Sequence, residues 1–131
     1  MKTGLLLSAL FFSLNVFAIS NPLRRICLEK KGQFFVADLI QDQVAACQLG
    51  HSVVGALELV YLGENIKSES VQNYSERKSA CFGQVIQINT SIEGEKITVC
   101  RYNDGSFIDL QSLKSGRDSG QNPDPNSALG L

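Results

Sequence analysis

The sequence predicts an α+β fold made of two small units, each with helices around a short antiparallel sheet and each stapled by a disulfide. Three observations support this: an N-terminus typical of an exported protein, four cysteines beyond it, and a set of features that occurs twice at matching spacing. The predicted parts are a signal peptide (1–18), a first repeat unit (19–63), a linker (64–74), a second repeat unit (75–117) and a flexible tail (118–131).

Residues 1–18 have the pattern of a secretory signal peptide. Lys2 gives a positive start, 5–17 is mainly apolar, and Val16 and Ala18 suit the −3 and −1 positions of a cleavage site. The apolar run is shorter than the ~20 residues of a membrane span, which favours cleavage over an uncleaved anchor. We therefore expect an exported protein, periplasmic or secreted, with no integral membrane segment after cleavage.

The chain beyond the predicted cleavage site is balanced in charge. Losing Lys2 leaves 11 of the 12 basic residues against 13 acidic ones, so the formal net charge moves from −1 to −2. This composition lacks the basic footprint of a nucleic-acid-binding protein and the polybasic segment that anionic membranes attract. We expect no nucleic-acid partner, and the sequence suggests no cofactor.

The exported chain contains four cysteines: Cys27, Cys47, Cys81 and Cys100. An even number in an oxidising compartment favours two disulfides, although counting leaves all three pairings open. The separations are 47 − 27 = 20 and 100 − 81 = 19 residues, and a glycine follows each second cysteine at +16 (Gly63 and Gly116). Because both copies keep the same two positions, we predict bonds within each unit. Each closed loop contributes about 3 kcal/mol in the chain-entropy model.

Local signals place the elements of the first unit. Asn21-Pro22 fits an N-cap followed by proline at the first helical position, and Gly32 fits the end of that helix. Residues 34–40 and 43–49 predict a β-hairpin. Residues 53–62 begin as a strand-like apolar run and continue as a helix.

The second unit shows clearer patterns. Ser75 can cap a helix over Glu76–Phe82, and 85–92 alternates between isoleucine and polar residues as a half-buried strand does. A second strand is predicted at 97–102. Asp104-Gly105 is a strong hairpin signal that leads into a strand at 106–110 and a short helix at 111–115.

Several motifs recur in one known family. In the first copy these are Asn21-Pro22, Cys27, a Gly-Gln step, Cys47 and Tyr61-Leu62-Gly63. In the second copy they are Cys81, Gly83, Cys100, Asp104-Gly105-Ser106 and Gly116. Together they resemble, in tandem over about 21–118, a small exported bacterial domain of unknown function that is sometimes labelled a hemolysin.

The resemblance implies a periplasmic or cell-envelope protein and supports bonding of the first cysteine to the second in each copy. The family's third cysteine is replaced in the region of Gly55 or Ile108, its fourth by Glu64 or Arg117, and its tryptophan is missing. The hemolysin label has no mechanism that these residues explain. A pore-former needs long amphipathic strands or a membrane helix, and the sequence predicts neither.

The polar residues that invite a chemical interpretation lack the partners that the chemistry requires. His51 is the only histidine and falls in a predicted turn, without the companions of a triad or a zinc site. Asp104, Ser106 and Asp109 lack the remaining ligands and the terminal glutamate of an EF-hand loop, which favours a hairpin turn over a calcium site. The sequence therefore predicts no catalytic residue and no metal ligand, and we expect the protein not to be an enzyme.

Two groups of residues are candidates for contact with a protein partner in the envelope. One is the hairpin loop Asn103, Asp104, Gly105 and Ser106, and the other is the apolar helix face that includes Leu59 and Tyr61. The alternative for that face is packing between the two units. We expect a non-enzymatic interaction or structural module. The alternative function is an inhibitor of a hydrolase that inserts the loop, because a rigid loop loses little entropy on binding.

Overall fold

A computed structural model describes residues 21–39, 42–90 and 95–131. The predicted signal peptide lies outside the described residues, and so do the ends of the predicted strands 34–40 and 85–92 with part of the bend that follows each of them. We refer to 21–75 as the first half of the protein and to 76–131 as the second half.

Helices and strands are distributed over both halves. The first half contains α1 (Pro22–Glu29), β1 (Gln33–Asp38), β2 (Gln43–Leu49), β3 (Ser52–Gly55), α2 (Ala56–Gly63) and α3 (Glu69–Ser75). The second half contains β4 (Gln84–Asn89), β5 (Lys96–Arg101), β6 (Phe107–Asp109), α4 (Leu110–Ser115) and α5 (Pro123–Leu129). Within the described ranges, none of the helices combines the length and the apolar composition needed to cross a bilayer.

All of these strands belong to one antiparallel sheet with the order β1-β2-β3-β6-β5-β4. The two halves meet where β3 pairs with β6 through Val54 and Ile108. The predicted α+β class, with helices and antiparallel strands, is therefore confirmed. The two predicted units contribute to a single sheet instead of carrying one each.

The sheet buries apolar side chains on both faces. The outer face packs against the helices and forms a core that includes Cys47, Leu59, Val71, Tyr74, Ile108 and Leu129. The inner cluster takes side chains from all six strands: Phe35, Ala37, Ala46, Val53, Ile88, Val99 and Phe107. The side chains of the inner cluster pack against one another because the sheet curls until its edge strands, β1 and β4, approach each other.

Both disulfides join the pairs that the spacing predicts. Cys27 bonds to Cys47 and Cys81 bonds to Cys100, with Cα–Cα distances of 5.6 and 5.7 Å. Each bond links the segment that precedes a hairpin to the second strand of that hairpin. The disulfides therefore attach the outer layer to the sheet once in each half.

The chain between the halves differs from the prediction. The predicted linker, 64–74, contains most of helix α3, which buries Val71 and Tyr74. The helix predicted over Glu76–Phe82 does not form, because Arg77 adopts a left-handed conformation (φ 64°) and its N–H bonds to the Tyr74 carbonyl. This closure ends α3, and the chain then runs to β4 without a further helix in the described residues.

The predicted flexible tail, 118–131, instead contains helix α5. Pro123 occupies the first turn, where its missing N–H costs nothing, and Pro125, Ala128 and Leu129 are buried. The fully buried Asn122 donates its side-chain amide to the Gly116 carbonyl at 2.9 Å. The apolar residues behind the two prolines, Ala128 and Leu129, hold this segment against the core as a helix.

Removing either disulfide should lower the free energy of unfolding, and the Cys27–Cys47 bond should matter more. The two loops are alike in length, so each bond contributes about 3 kcal/mol in the chain-entropy model. Cys27, Cys47 and Cys100 are buried, whereas Cys81 is partly exposed, so alanine at the first pair leaves the larger cavity. Urea unfolding of the two double-alanine variants measures the difference. Equal losses would contradict the burial argument.

Candidate functional site

A buried glutamate at the start of α2 connects the two halves. Glu58 accepts the N–H of Gly55, next to its own helix, at 2.7 Å and the N–H of Phe107, in β6 of the second half, at 2.6 Å. A Cβ on residue 55 would lie 2.5 Å from Glu58 Oε1. Glycine at this position therefore allows the carboxyl group to fold back over the start of the helix.

An aspartate makes the corresponding connection from the second half. Asp109, the N-cap of α4, accepts the N–H of Ser112 in its own helix and the N–H of Val53 in β3, both at 2.9 Å. The buried hydroxyls of Ser52 and Ser112 lie 2.5 Å apart beside it. We call this region the β3–β6 junction: Glu58 and Asp109 with the N–H groups of Phe107 and Val53.

Burial dominates the ionisation of both junction carboxyl groups. It raises the pKa of Glu58 well above its ordinary value, against the N–H groups of Phe107 and Gly55, which lower it. Burial likewise raises the pKa of Asp109, against the N–H groups of Val53 and Ser112. Both groups therefore hold a proton to a higher pH in the folded protein than in the unfolded chain.

The Asp104-Gly105 turn lies against the start of α3. Asp104 accepts the N–H of Glu69 at 2.8 Å and both the N–H and the hydroxyl of Ser106, while Ser106 Oγ accepts the N–H of Ser70. Gly105 has φ +86°, which suits the turn. Burial opposes ionisation of Asp104, but the donors from Glu69 and Ser106 outweigh it and lower its pKa.

A cleft of about 430 Å³ lies between this turn, α1 and α2. Its apolar lining comes from Leu23, Val44, Ala45, Leu57 and Tyr61, and its polar lining includes Glu58, Ser68, Arg101 and Asp104. Leu57 and Tyr61 stand one turn apart on the same face of α2, and they are 47% and 39% exposed. We call this site the α2 cleft.

The structure brings together part of the predicted partner-binding set. Asp104, Gly105, Ser106 and Tyr61 line the α2 cleft. Asn103 is exposed at the tip of the turn, outside that lining. Leu59 is buried in the outer core, so it packs the protein together and is not available to a partner.

The predicted set omits most of the cleft lining, including Leu23, Glu58 and Arg101. Glu58 had a local signal, because a glutamate three residues after an N-cap commonly reaches back to the N-cap N–H. Arg101 had none, since its position depends on how the sheet curls. Its guanidinium lies 3.4 Å from the Asp42 carboxylate, which belongs to the other half.

The other polar candidates contact neighbouring segments of the protein. His51 is exposed, and its Nε2 lies 3.2 Å from Asn122 Oδ1. The oxygens of Asp104 and Asp109 accept hydrogen bonds from different segments, at Glu69 and Val53. In the part of the chain that the structure describes, no group of three or more His, Cys, Asp or Glu side chains is placed to hold a metal ion.

Comparison of the chain with protein-family models, with curated proteins and with solved structures found no match. The resemblance to the hemolysin-labelled domain therefore stays a prediction from its motifs.

Replacing Glu58 should change how stability depends on pH. Its folded pKa lies above the ordinary value of 4.5, so its contribution is fully present below pH 4.5 and is lost as pH rises through the folded pKa. Glu58→Gln should flatten this decline, although Asp109 contributes a decline of the same sign. At pH 4 the variant should lose about 1–3 kcal/mol, because its amide faces the Gly55 N–H. Urea unfolding from pH 4 to 8, with exposed Glu64→Gln as the control, checks this; an unchanged slope would contradict it.

Asp104→Asn should destabilise the protein by about 1 kcal/mol at pH 7, because the two carboxylate oxygens accept from Glu69 and from Ser106 separately, whereas the amide has one acceptor oxygen and turns its NH2 toward the remaining donors. Since the folded pKa of Asp104 is lowered, its contribution is present above its ordinary value of 3.8 and is lost as pH falls further. The difference between variant and parent should therefore shrink in acid. Thermal unfolding at pH 7 and pH 3 measures both effects, and Asn103→Ala in the same turn is the control. A difference that grows in acid would refute the capping role.

Proposed function

We propose that the protein is an exported, non-enzymatic binding module whose protein partner inserts an apolar side chain into the α2 cleft. The observation that carries this proposal is the exposure of Leu57 and Tyr61 together on the wall of a concave site. An apolar anchor held in a pocket is the usual energetic centre of a protein interface. The cleft volume of about 430 Å³ is large enough to take a side chain of a partner.

The construction of the cleft favours binding. The Cys27–Cys47 disulfide ties α1 to the sheet, and Glu58 fixes the first turn of α2 to β6. Asp104 fixes the opposite wall to α3. Since the walls are in place before a partner arrives, little conformational entropy is lost on association.

The polar groups in the cleft support a binding role over a chemical one. Glu58 accepts two backbone N–H groups, and Asp104 accepts donors from Glu69 and Ser106. A general acid or base needs an oxygen free to exchange a proton with a substrate. These oxygens are engaged in holding helix ends and the β3–β6 junction.

The proposed location is the periplasm or the outside of the cell, as the N-terminal pattern indicates. Two disulfides support it, because such bonds form and persist in oxidising compartments. The partner that we propose is accordingly a protein of the cell envelope.

We further propose that the two halves are diverged copies of one unit related to the hemolysin-labelled domain. The mirrored strand order β1-β2-β3-β6-β5-β4 supports this. So does the register, because Phe34 pairs with Cys47 in one hairpin and Val85 pairs with Cys100 in the other.

An inhibitor that acts through the hairpin loop is the second candidate. The turn is fixed by the hydrogen bonds of Asp104, and Asn103 is exposed at its tip, as a preorganised inserting loop requires. The side chains of Asp104 and Ser106 face α3, however, so only Asn103 and the Gly105 backbone would enter a hydrolase.

A photoreactive phenylalanine analogue at position 61 should crosslink the partner in the host envelope. Leu57→Asp should suppress that adduct, because a charge in the apolar wall opposes burial. Position 28 is the matched control, since Leu28 is a helical residue 52% exposed outside the cleft. Equal adducts at 61 and 28 would contradict the proposal. Suppression by Asn103→Ala instead of Leu57→Asp would favour the inhibitor.

A further inference from the structure

The register of the sheet relates the α2 cleft to a second concave site. One row of paired residues crosses all the strands, and its second residue from either edge is a cysteine: Phe34, Cys47, Val54, Ile108, Cys100 and Val85. Val54 and Ile108 therefore occupy equivalent positions, and so do Cys47 and Cys100. Counting along the chain from this row gives the residue of the second half that corresponds to each residue of the first.

Residues that correspond to the lining of the α2 cleft line a groove on the second half. The corresponding pairs are Gln43 with Lys96, Ala45 with Thr98, Leu57 with Gln111, Tyr61 with Ser115 and Arg101 with Gln48. The groove has a volume of about 1170 Å³, and in the described residues its lining does not overlap with that of the α2 cleft. We call it the α4 groove.

The helical wall differs in chemistry between the two sites. In the α2 cleft the helix contributes the apolar contacts of Leu57 and Tyr61. In the α4 groove it contributes Gln111 and Lys114, which stand one turn apart on α4 and are both exposed. An apolar anchor that suits the α2 cleft would therefore meet polar groups in the α4 groove, so the two sites select different ligands.

The α4 groove presents hydrogen-bond donors from both walls. Lys96 and Thr98 lie on the same face of β5, opposite the α4 residues. The ammonium groups of Lys96 and Lys114 can only donate. Asp109 also lines the groove, but it is buried and its oxygens accept two backbone N–H groups. Glu95 is therefore the exposed carboxylate of the described lining, against two ammonium groups.

We propose that the α4 groove binds an extended, carboxylate-rich segment of a partner protein. Among the described residues, Lys96 and Lys114 form no ion pair, so their charges can meet those of the segment. The Gln111 amide carries both a donor and an acceptor, as a peptide group does. A peptide is favoured over an acidic saccharide because the described lining includes no Phe, Tyr or Trp on which a sugar ring could stack. This site is separate from the α2 cleft, so the proposal goes beyond the function proposed above.

The test uses the predicted exported chain, residues 19–131, labelled with nitrogen-15, and a capped hexaglutamate peptide as the probe. We expect saturable shifts of the Thr98 and Gln111 amides that diminish as salt is added. Lys96→Gln/Lys114→Gln should weaken binding about tenfold, because it removes both ammonium groups from the groove. Lys67→Gln/Lys78→Gln is the matched control, since it removes the same charge from exposed lysines outside the lining and should leave the affinity nearly unchanged.

Unfolding of each variant in urea confirms that it folds. Three results would overturn the proposal. The first is the absence of saturation with hexaglutamate, and the second is an equal loss of affinity in the two double variants. The third is tighter binding of trigalacturonate than of hexaglutamate, which would assign the groove to an acidic saccharide. Failure here leaves the α2 cleft untouched, because position 61 crosslinking reads that site separately.

Discussion

Two buried carboxyl groups hold the β3–β6 junction, and the rest of the structure depends on that junction. In the described residues, the backbone pairing of β3 with β6 involves one residue pair, Val54 and Ile108. This is little strand pairing for the place where the two halves meet. Glu58 and Asp109 extend it, because each accepts one N–H from its own helix end and one from the opposite half. A buried N–H left unpaired would cost about 1–3 kcal/mol. By accepting the N–H groups of Phe107 and Val53, the two carboxyl groups avoid this cost at the β3–β6 junction.

The α2 cleft exists only when this junction is closed. Leu57 and Tyr61 come from the first half, whereas Arg101 and the Asp104 turn come from the second, and Glu58 belongs to both the cleft and the junction. Binding at the cleft and pairing of the halves are therefore linked. A partner that fills the cleft stabilises the folded protein by mass action, and a change that opens the junction removes the site.

The sequence predicts the parts of the fold that have local causes. The cysteine spacing indicated both disulfides, and the Asp104-Gly105 signal placed a turn that the structure contains. Errors arose where tertiary contacts decided the outcome. Helix α3 forms in a polar stretch because Val71 and Tyr74 reach the core, and α5 forms because Asn122 and Leu129 are buried. The β3–β6 junction could not be predicted for the same reason, because no sequence pattern near Glu58 indicates that it accepts the N–H of Phe107.

Native-state hydrogen exchange at the junction tests this account most directly. The amides of Val53 and Phe107 should exchange only through global unfolding, at free energies close to those of the two hairpins. In the Glu58→Gln/Asp109→Asn variant, these two amides should exchange faster than the hairpin amides do. If the Val53 and Phe107 amides of the unmodified protein exchange as fast as those of exposed turns, the claim that the carboxyl groups hold the β3–β6 junction is contradicted.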